Sequence, residues 1–453
     1  MTGINMNPTT TIRSALYALS IVAASIGVFV YWQISRYPEA FNNIAFVFAY
    51  AVMLILISMP LFVSETISGF LSKKPLTGSL HFAARSQRLR FIGLLSMVLA
   101  AILLIMVIAR ISVTSSSLVY TSFWYTTHSA EKTLHLIDNY TLLIGIIFSA
   151  IIVIIIGFSQ TRERFLKLSS AFATLGLACL IGLFIMNAVT FNTSLTTGTF
   201  FTPDFHLLAS IDVWESALSL SLFSGLIGLG VNSVLGTYFN AQCSIRRFSW
   251  SFVIGSIITV IIIMLIQSLY TNSSRSASDV LGFQYAYTLN LLAFGMFFFC
   301  LLTTAILLCQ TFKGLNTSTT KHKWYVYLPF FILLLAASII YQHVLAYTVH
   351  DILQSNVIII LILFIAYLEI LIFGWICDAQ KLSYQLHKAT KIKLSALYNL
   401  SLRLIAPSAI LAVFTHKILS IFVTMHWFSI VGIFILSLIF TVILGSFLHR
   451  KFQ

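Results

Sequence analysis

The chain has 453 residues, 59% hydrophobic and 8% charged, with a mean hydropathy of +0.98 and a formal net charge of +14. Soluble domains carry about 25% charged residues, so this composition excludes a soluble fold and predicts an all-α polytopic membrane protein. A charge of +14 also suits nucleic-acid binding, and the positions of the charges decide between the two.

Apolar windows between breakers predict twelve transmembrane helices, at about 14–35, 43–70, 90–112, 139–159, 165–189, 213–239, 248–270, 282–312, 324–346, 355–379, 396–420 and 427–449. Several exceed the length a bilayer needs, so tilt, kinks or extensions beyond it are expected. The first stretch, Ser14 to Pro38, has features of a signal peptide: Arg13 precedes an apolar core and Ala23-Ala24-Ser25 follows. The unbroken series of similar spans after it argues for a retained helix.

Basic residues cluster in alternate connections. Arg13; Lys73, Lys74, Arg85, Arg88 and Arg90; Arg162, Arg164 and Lys167; Arg246 and Arg247; Lys313, Lys321 and Lys323; Lys381, Lys388, Lys391 and Lys393; and Arg450 and Lys451 make up twenty of the 26 Lys and Arg. Under the positive-inside rule both termini are then cytoplasmic. The excess charge faces anionic lipid, and nucleic acid is not an expected partner. The longest outer connections, about 113–138 and 190–212, are polar and Thr/Ser-rich and read as loops too short for a soluble domain.

Five cysteines (Cys179, Cys243, Cys300, Cys309, Cys377) form no C-x-x-C pair and read as small core residues. The eleven histidines show no H-x-x-x-H run and no acid–His cluster, so neither an enzyme nor an organic cofactor is expected. Span six holds Ser224, Gly225, Gly228 and Gly230 close together. Glycine accepts irregular dihedrals and serine can satisfy stranded backbone groups, which suits a broken helix. Taken alone, the same small residues also suit close helix packing.

A series of short stretches falls in a telling order: Arg36-Tyr37-Pro38 after span one, then Pro60-Leu61-Phe62 and Glu65, RERFLKL at 162–168, and Thr202-Pro203-Asp204-Phe205 with Val213-Trp214. FSGLIGLG at 223–230, FFCLLTTAILLCQ at 298–310, EILIFGWICDAQK at 369–381 and LIAPSAILAV at 404–413 follow. This succession resembles the neurotransmitter:sodium symporter family over nearly the whole chain. The resemblance implies two inverted five-helix repeats (about 14–189 and 213–379) with helices 1 and 6 broken, plus two peripheral helices at about 396–449. It also implies sodium-coupled symport of a small organic solute, possibly an amino acid, by alternating access across a bacterial plasma membrane.

The site residues follow from the same resemblance. A second-site-like sodium position would use the carbonyls of Ile26, Phe29 and Cys300 and the hydroxyls of Thr303 and Thr304. Alone, Thr-Thr in an apolar helix usually bonds back to the preceding turn. The first sodium site, at Val28, Gln33 and Ser224, is degraded, because span seven offers no Asn between Trp250 and Tyr270; one Na+ is expected. The substrate pocket falls on Val30, Tyr31, Trp32, Val107, Phe223, Ser224, Leu226, Leu229, Thr304 and Leu308. Val30, Tyr31 and Trp32 stand where the family has glycines, and Val107 where it has a carboxylate-binding tyrosine, so the pocket is apolar with a weakened carboxylate receptor.

Arg36 matches an outer-gate arginine, with Gln354 at the acid's position and Asp351 one turn away. Thr237 and Tyr238 match an inner latch whose expected acid is missing. Glu65 and Glu369 match glutamates that brace the broken helices. Arg110 has no match; it could pair with either glutamate, meet a substrate anion or snorkel outward. The degraded first site and the missing glycines leave a second reading, a transport-deficient sensor or scaffold.

Overall fold

The computed structural model describes residues 8–26, 43–84, 89–124, 130–159, 162–190, 200–239, 245–271, 283–312, 328–345, 356–390, 394–420 and 427–452. In chain order the helices are α1 (Pro8–Ser25), α2 (Ile44–Ser72), α3 (Leu76–Ala84), α4 (Arg90–Trp124), α5 (Ala130–Phe158), α6 (Arg162–Thr190), α7 (Ile211–Ser224), α8 (Val231–Tyr238), α9 (Ile245–Thr271), α10 (Phe283–Gln310), α11 (Leu328–Leu345), α12 (Asn356–Leu371), α13 (Ala379–Thr390), α14 (Ala396–Leu419) and α15 (Trp427–Phe452). No strand occurs among the described residues. Each of the twelve expected spans has a helical counterpart, and the sixth is divided between α7 and α8. Eight helices are long and apolar enough to cross a bilayer among the described residues, and the protein is an integral, multi-pass membrane protein.

Lipid offers no hydrogen bonds, so each spanning backbone must satisfy itself or be satisfied by a neighbour. Prolines show how this is done. Pro60 cannot donate to the carbonyl of Leu56, four residues earlier. The helix widens there into a π turn at Leu54–Ser58, and the Ser401 hydroxyl of α14 donates to Leu56 O instead. Pro407 likewise frees the carbonyl of Arg403, within the π turn Ser401–Ile405, and the Trp375 indole donates to it at 3.0 Å. Trp375 itself lies in the π turn Ile372–Ile376 that follows α12. The widened turn Ser401–Ile405 packs against each of the other two and ties span eleven to spans two and ten.

The buried core runs through α2, α4, α7, α8, α9, α10 and α12. Glycine lets two of these approach backbone to backbone. A Cβ on Gly69 of α2 would overlap the Ser233 carbonyl of α8, and one on Gly236 would overlap the Thr66 carbonyl. At the periphery α15 turns Phe434, Leu436, Ile443 and Phe447 outward, as a lipid-facing helix should.

Two stretches differ from expectation. Most of the predicted loop at 113–138 is helical, because α4 runs on to Trp124 and α5 begins at Ala130. Its hydroxyl-rich composition does not break the helix: Ser112 and Ser115 donate back to Ile108 O and Ile111 O at 2.8 and 2.6 Å. The basic connections hold two further helices, α3 and α13. In α13, Leu382 and Leu386 are buried while Lys381 and Tyr384 face out. Cys300, Cys309 and Cys377 are buried, and Cys179 is half-buried.

Candidate functional site: a broken sixth span against α1, α2 and α10

Residues 225–230 form no helix, and three of them take left-handed backbone angles: Leu226 (φ 48), Gly228 (φ 76) and Gly230 (φ 76). Glycine does this without strain; Leu226 does not. Peptide groups released by such a break need partners. Leu226 N donates to Phe223 O at 2.9 Å and Ile227 N to Leu222 O at 3.1 Å. Gly228 N donates to Glu65 Oε1 at 2.8 Å, so a carboxylate on α2 caps the approach to the second half-span, α8. Asn232 Nδ2 bridges Glu65 Oε2 at 3.0 Å and Gly225 O at 2.7 Å. Ser233 Oγ also donates to Glu65 O at 3.2 Å. Beside Glu65, Glu369 of α12 accepts from Ser96 Oγ at 3.1 Å. Both glutamates are buried.

Next to the break, α10 meets the end of α1. Thr304 Oγ1 lies 3.0 Å from Ala24 O and 3.0 Å from Cys300 O, joining the two helices. Thr303 Oγ1 turns back to Phe299 O at 2.8 Å. The α-helical ladder of α1 ends at Ser25, and Ile26 begins a wider turn, its side chain buried against Cys300. The carbonyl that faces Thr304 is thus Ala24, two residues before Ile26. Gly176 of α6 lets Cys300 approach closely from the other side. One hydroxyl, of Thr304, and two carbonyls, of Ala24 and Cys300, meet in this buried crossing, oxygen donors of the kind a hard monovalent cation takes, while Thr303 is turned to Phe299 O of its own helix.

Ser224 closes α7. Its Oγ donates to Leu220 O at 2.8 Å and accepts from Tyr50 OH at 2.8 Å. Val107, Phe223, Leu226, Leu229 and Leu308 are all buried in the main core, and of these Leu226 and Leu229 belong to the break and Phe223 to the end of α7 just before it. Arg110 is close enough to Tyr341 of α11 to interact with it electrostatically.

At the end of the bundle where α8 stops, aromatic rings pack together. Tyr17 of α1 stacks on Phe165 and Tyr238 at 6.3 and 6.5 Å and meets Phe239 at 5.6 Å. Tyr238 OH donates to Gln310 Oε1 at 3.2 Å, and Gln310 Nε2 to Ser159 O at 3.3 Å. Thr237 Oγ1 donates to Val234 O of its own helix at 2.6 Å. Lys73 Nζ caps the end of α8 at Phe239 O, 2.6 Å away. Near the opposite end of span six, Glu215 is buried between His416 Nδ1, at 2.9 Å, and the Lys417 ammonium of α14.

No protein-family profile and no curated protein matches the sequence. Among solved structures, MhsT in complex with L-phenylalanine matches with a TM-score of 0.69 and 16% identity, over 89% of this chain and 98% of its own. The chain shares the MhsT fold. It is the fold expected from the resemblance to the neurotransmitter:sodium symporters, and at 16% identity the likeness to MhsT is one of fold.

Several expected positions lie outside the described residues: Val28, Phe29, Val30, Tyr31, Trp32, Gln33, Arg36, Asp351 and Gln354. The interior carries further polar residues that no local motif marks. Asn232 follows the glycines without resembling a cap, Gln310 is a single amide at the end of an apolar helix, and Glu215 meets Lys417 across about 200 residues of sequence.

Proposed function

We propose that this protein is a sodium-coupled symporter that moves a small organic solute by alternating access, with apolar amino acids the first substrate class to test. The observation that carries the reading is the break at 225–230, braced by Glu65 and set beside the Thr304–Ala24 crossing. In carriers of this kind, unwound backbone near mid-membrane supplies ion and substrate ligands while half-spans move as gates. Thr303, Thr304 and the carbonyls of Ala24 and Cys300 would hold the ion, with Ile26 and Phe29 next along the chain. The Leu- and Phe-rich lining of the break suits an apolar side chain.

A single sodium is the economical stoichiometry, since Ser224 is already engaged by Tyr50 and Leu220. The work of coupling follows from the crossing. A cation that draws Thr304 and the α1 carbonyls together holds the inner half of span one against α10, and its release frees that half to swing. Tyr17 would then leave the rings of Phe165, Tyr238 and Phe239, opening the inner face. The repeats at about 14–189 and 213–379, both cytoplasmic termini and a bacterial plasma membrane belong to the same reading, the termini supported by the basic inner connections.

The test is uptake into proteoliposomes under an inward sodium gradient, across apolar amino acids. Sodium-dependent accumulation that Thr304→Ala abolishes supports the proposal. Sodium binding without accumulation of any solute would favour the sensor reading, for which the degraded first site is the motive.

A further inference from the structure

Where α2 ends, the chain reverses at Lys73, which takes a left-handed conformation (φ 53), and starts α3 after Pro75. The two lysines part there. Lys73 is committed to the carbonyls at the end of α8. Lys74 lays its stem across Gly78, so close that a Cβ on Gly78 would come within 2.7 Å of it. Together with Leu71, Ser72, His81 and Phe82, these residues line an open cavity of about 450 Å³.

The lining is chemically lopsided. Lys74 makes no ion pair among the described residues. His81 Nδ1 is buried without a hydrogen-bond partner among them. Ser72 Oγ accepts from Lys74 N at 3.2 Å, its other contact being a long one to Lys74 O. A cation, Lys74, and a hydroxyl, Ser72, therefore share one hollow with the His81 ring, and no carboxylate lines it among the described residues. Its volume is in the range of small-ligand sites. The cavity sits where spans two and three leave the membrane, with Phe82, Arg90 and Phe91 exposed nearby in sequence. A site with cationic and apolar walls at the bilayer boundary matches a phosphate group carrying acyl chains.

We propose that this cavity binds the phosphate headgroup of one anionic phospholipid, with Lys74 as the principal contact and Phe82 beside the acyl chains. Free phosphate offers the same headgroup chemistry; the exposed Phe82 and the position at the boundary favour the lipid. Because Lys73 and Lys74 are adjacent, a bound headgroup would also hold the turn from which Lys73 clamps α8. The proposal concerns lipid binding and stands whether or not the protein transports.

The test is native mass spectrometry of the full chain in detergent, titrated with phosphatidylglycerol and, separately, phosphatidylcholine. One phosphatidylglycerol should be retained in preference to phosphatidylcholine, and Lys74→Ala should weaken it about fivefold, the effect of removing one basic group at an anionic surface. Gly78→Ala, which keeps the charge but displaces the Lys74 stem, should weaken it too. Lys451→Ala, distant in sequence and set over Phe447, should not. Melting temperatures identify any variant that is misfolded. Equal retention of the two lipids, undiminished binding by Lys74→Ala, or displacement of the lipid by millimolar inorganic phosphate would each overturn the assignment.

Discussion

Glu65 Oε1 and the backbone nitrogen of Gly228 lie 2.8 Å apart across the gap in the sixth span. With Asn232 on the other oxygen, one carboxylate satisfies a backbone N–H that the broken helix releases and one N–H of a side chain that also holds Gly225 O. Glu65→Ala strands Gly228 N and costs Asn232 one of its two bonds in a buried setting, at about 3 kcal/mol. Glu65→Gln keeps one acceptor and should cost less. Thermal unfolding in detergent reads the difference, and equal melting of the two variants would contradict the bracing role.

Glu215 is the sole acid among the described residues to meet both His416 and Lys417. Removing it leaves the Lys417 ammonium buried without its counter-charge, at a cost of about 3–5 kcal/mol. Lys417→Met in the Glu215→Gln background should recover much of that loss, because both charges are then gone. A double-mutant cycle on melting temperature checks this; additive losses would mean the groups act separately.

The approach of α2 to α8 gives a sharper steric prediction. Gly236→Ala forces a methyl into the Thr66 carbonyl, so the helices must part, at about 2–3 kcal/mol. Gly432→Ala in α15 meets nothing within 4 Å and should be neutral. The pair of melting curves compares a close helix–helix contact with an unobstructed position in one protein.

The inner rings predict a gating phenotype. Tyr17→Ala removes three aromatic contacts at once, whereas Tyr238→Phe removes one hydrogen bond to Gln310. Labelling of Cys309, buried on α10 beside Gln310, should quicken strongly in the first variant and slightly in the second. Peptide-resolved mass spectrometry after maleimide treatment measures both rates.

The order of the spans and the interruption of the sixth were legible because lipid imposes them: every crossing must be apolar, and an interrupted one favours residues such as Gly228 and Gly230; the break expected in span one lies outside the described residues. Local rules failed where long-range partners decide. Ser115 falls in the stretch read as a loop by composition, yet it bonds back into α4. The α1 register at Thr304, with Ala24 rather than Ile26 opposite, depends on how two helices cross, which neither helix encodes alone. Lys417 is a charge within an apolar helix whose partner, Glu215, lies across the fold.

The most direct measurement is the melting temperature of the purified protein in sodium against potassium at equal ionic strength, with and without Thr304→Ala. A ligand that binds the folded state at a hundred times its Kd stabilises by about 2.7 kcal/mol. The account predicts a higher melting temperature in sodium for the wild type and no difference between the ions for Thr304→Ala. Identical melting of the wild type in both salts would contradict a sodium site at the α1–α10 crossing.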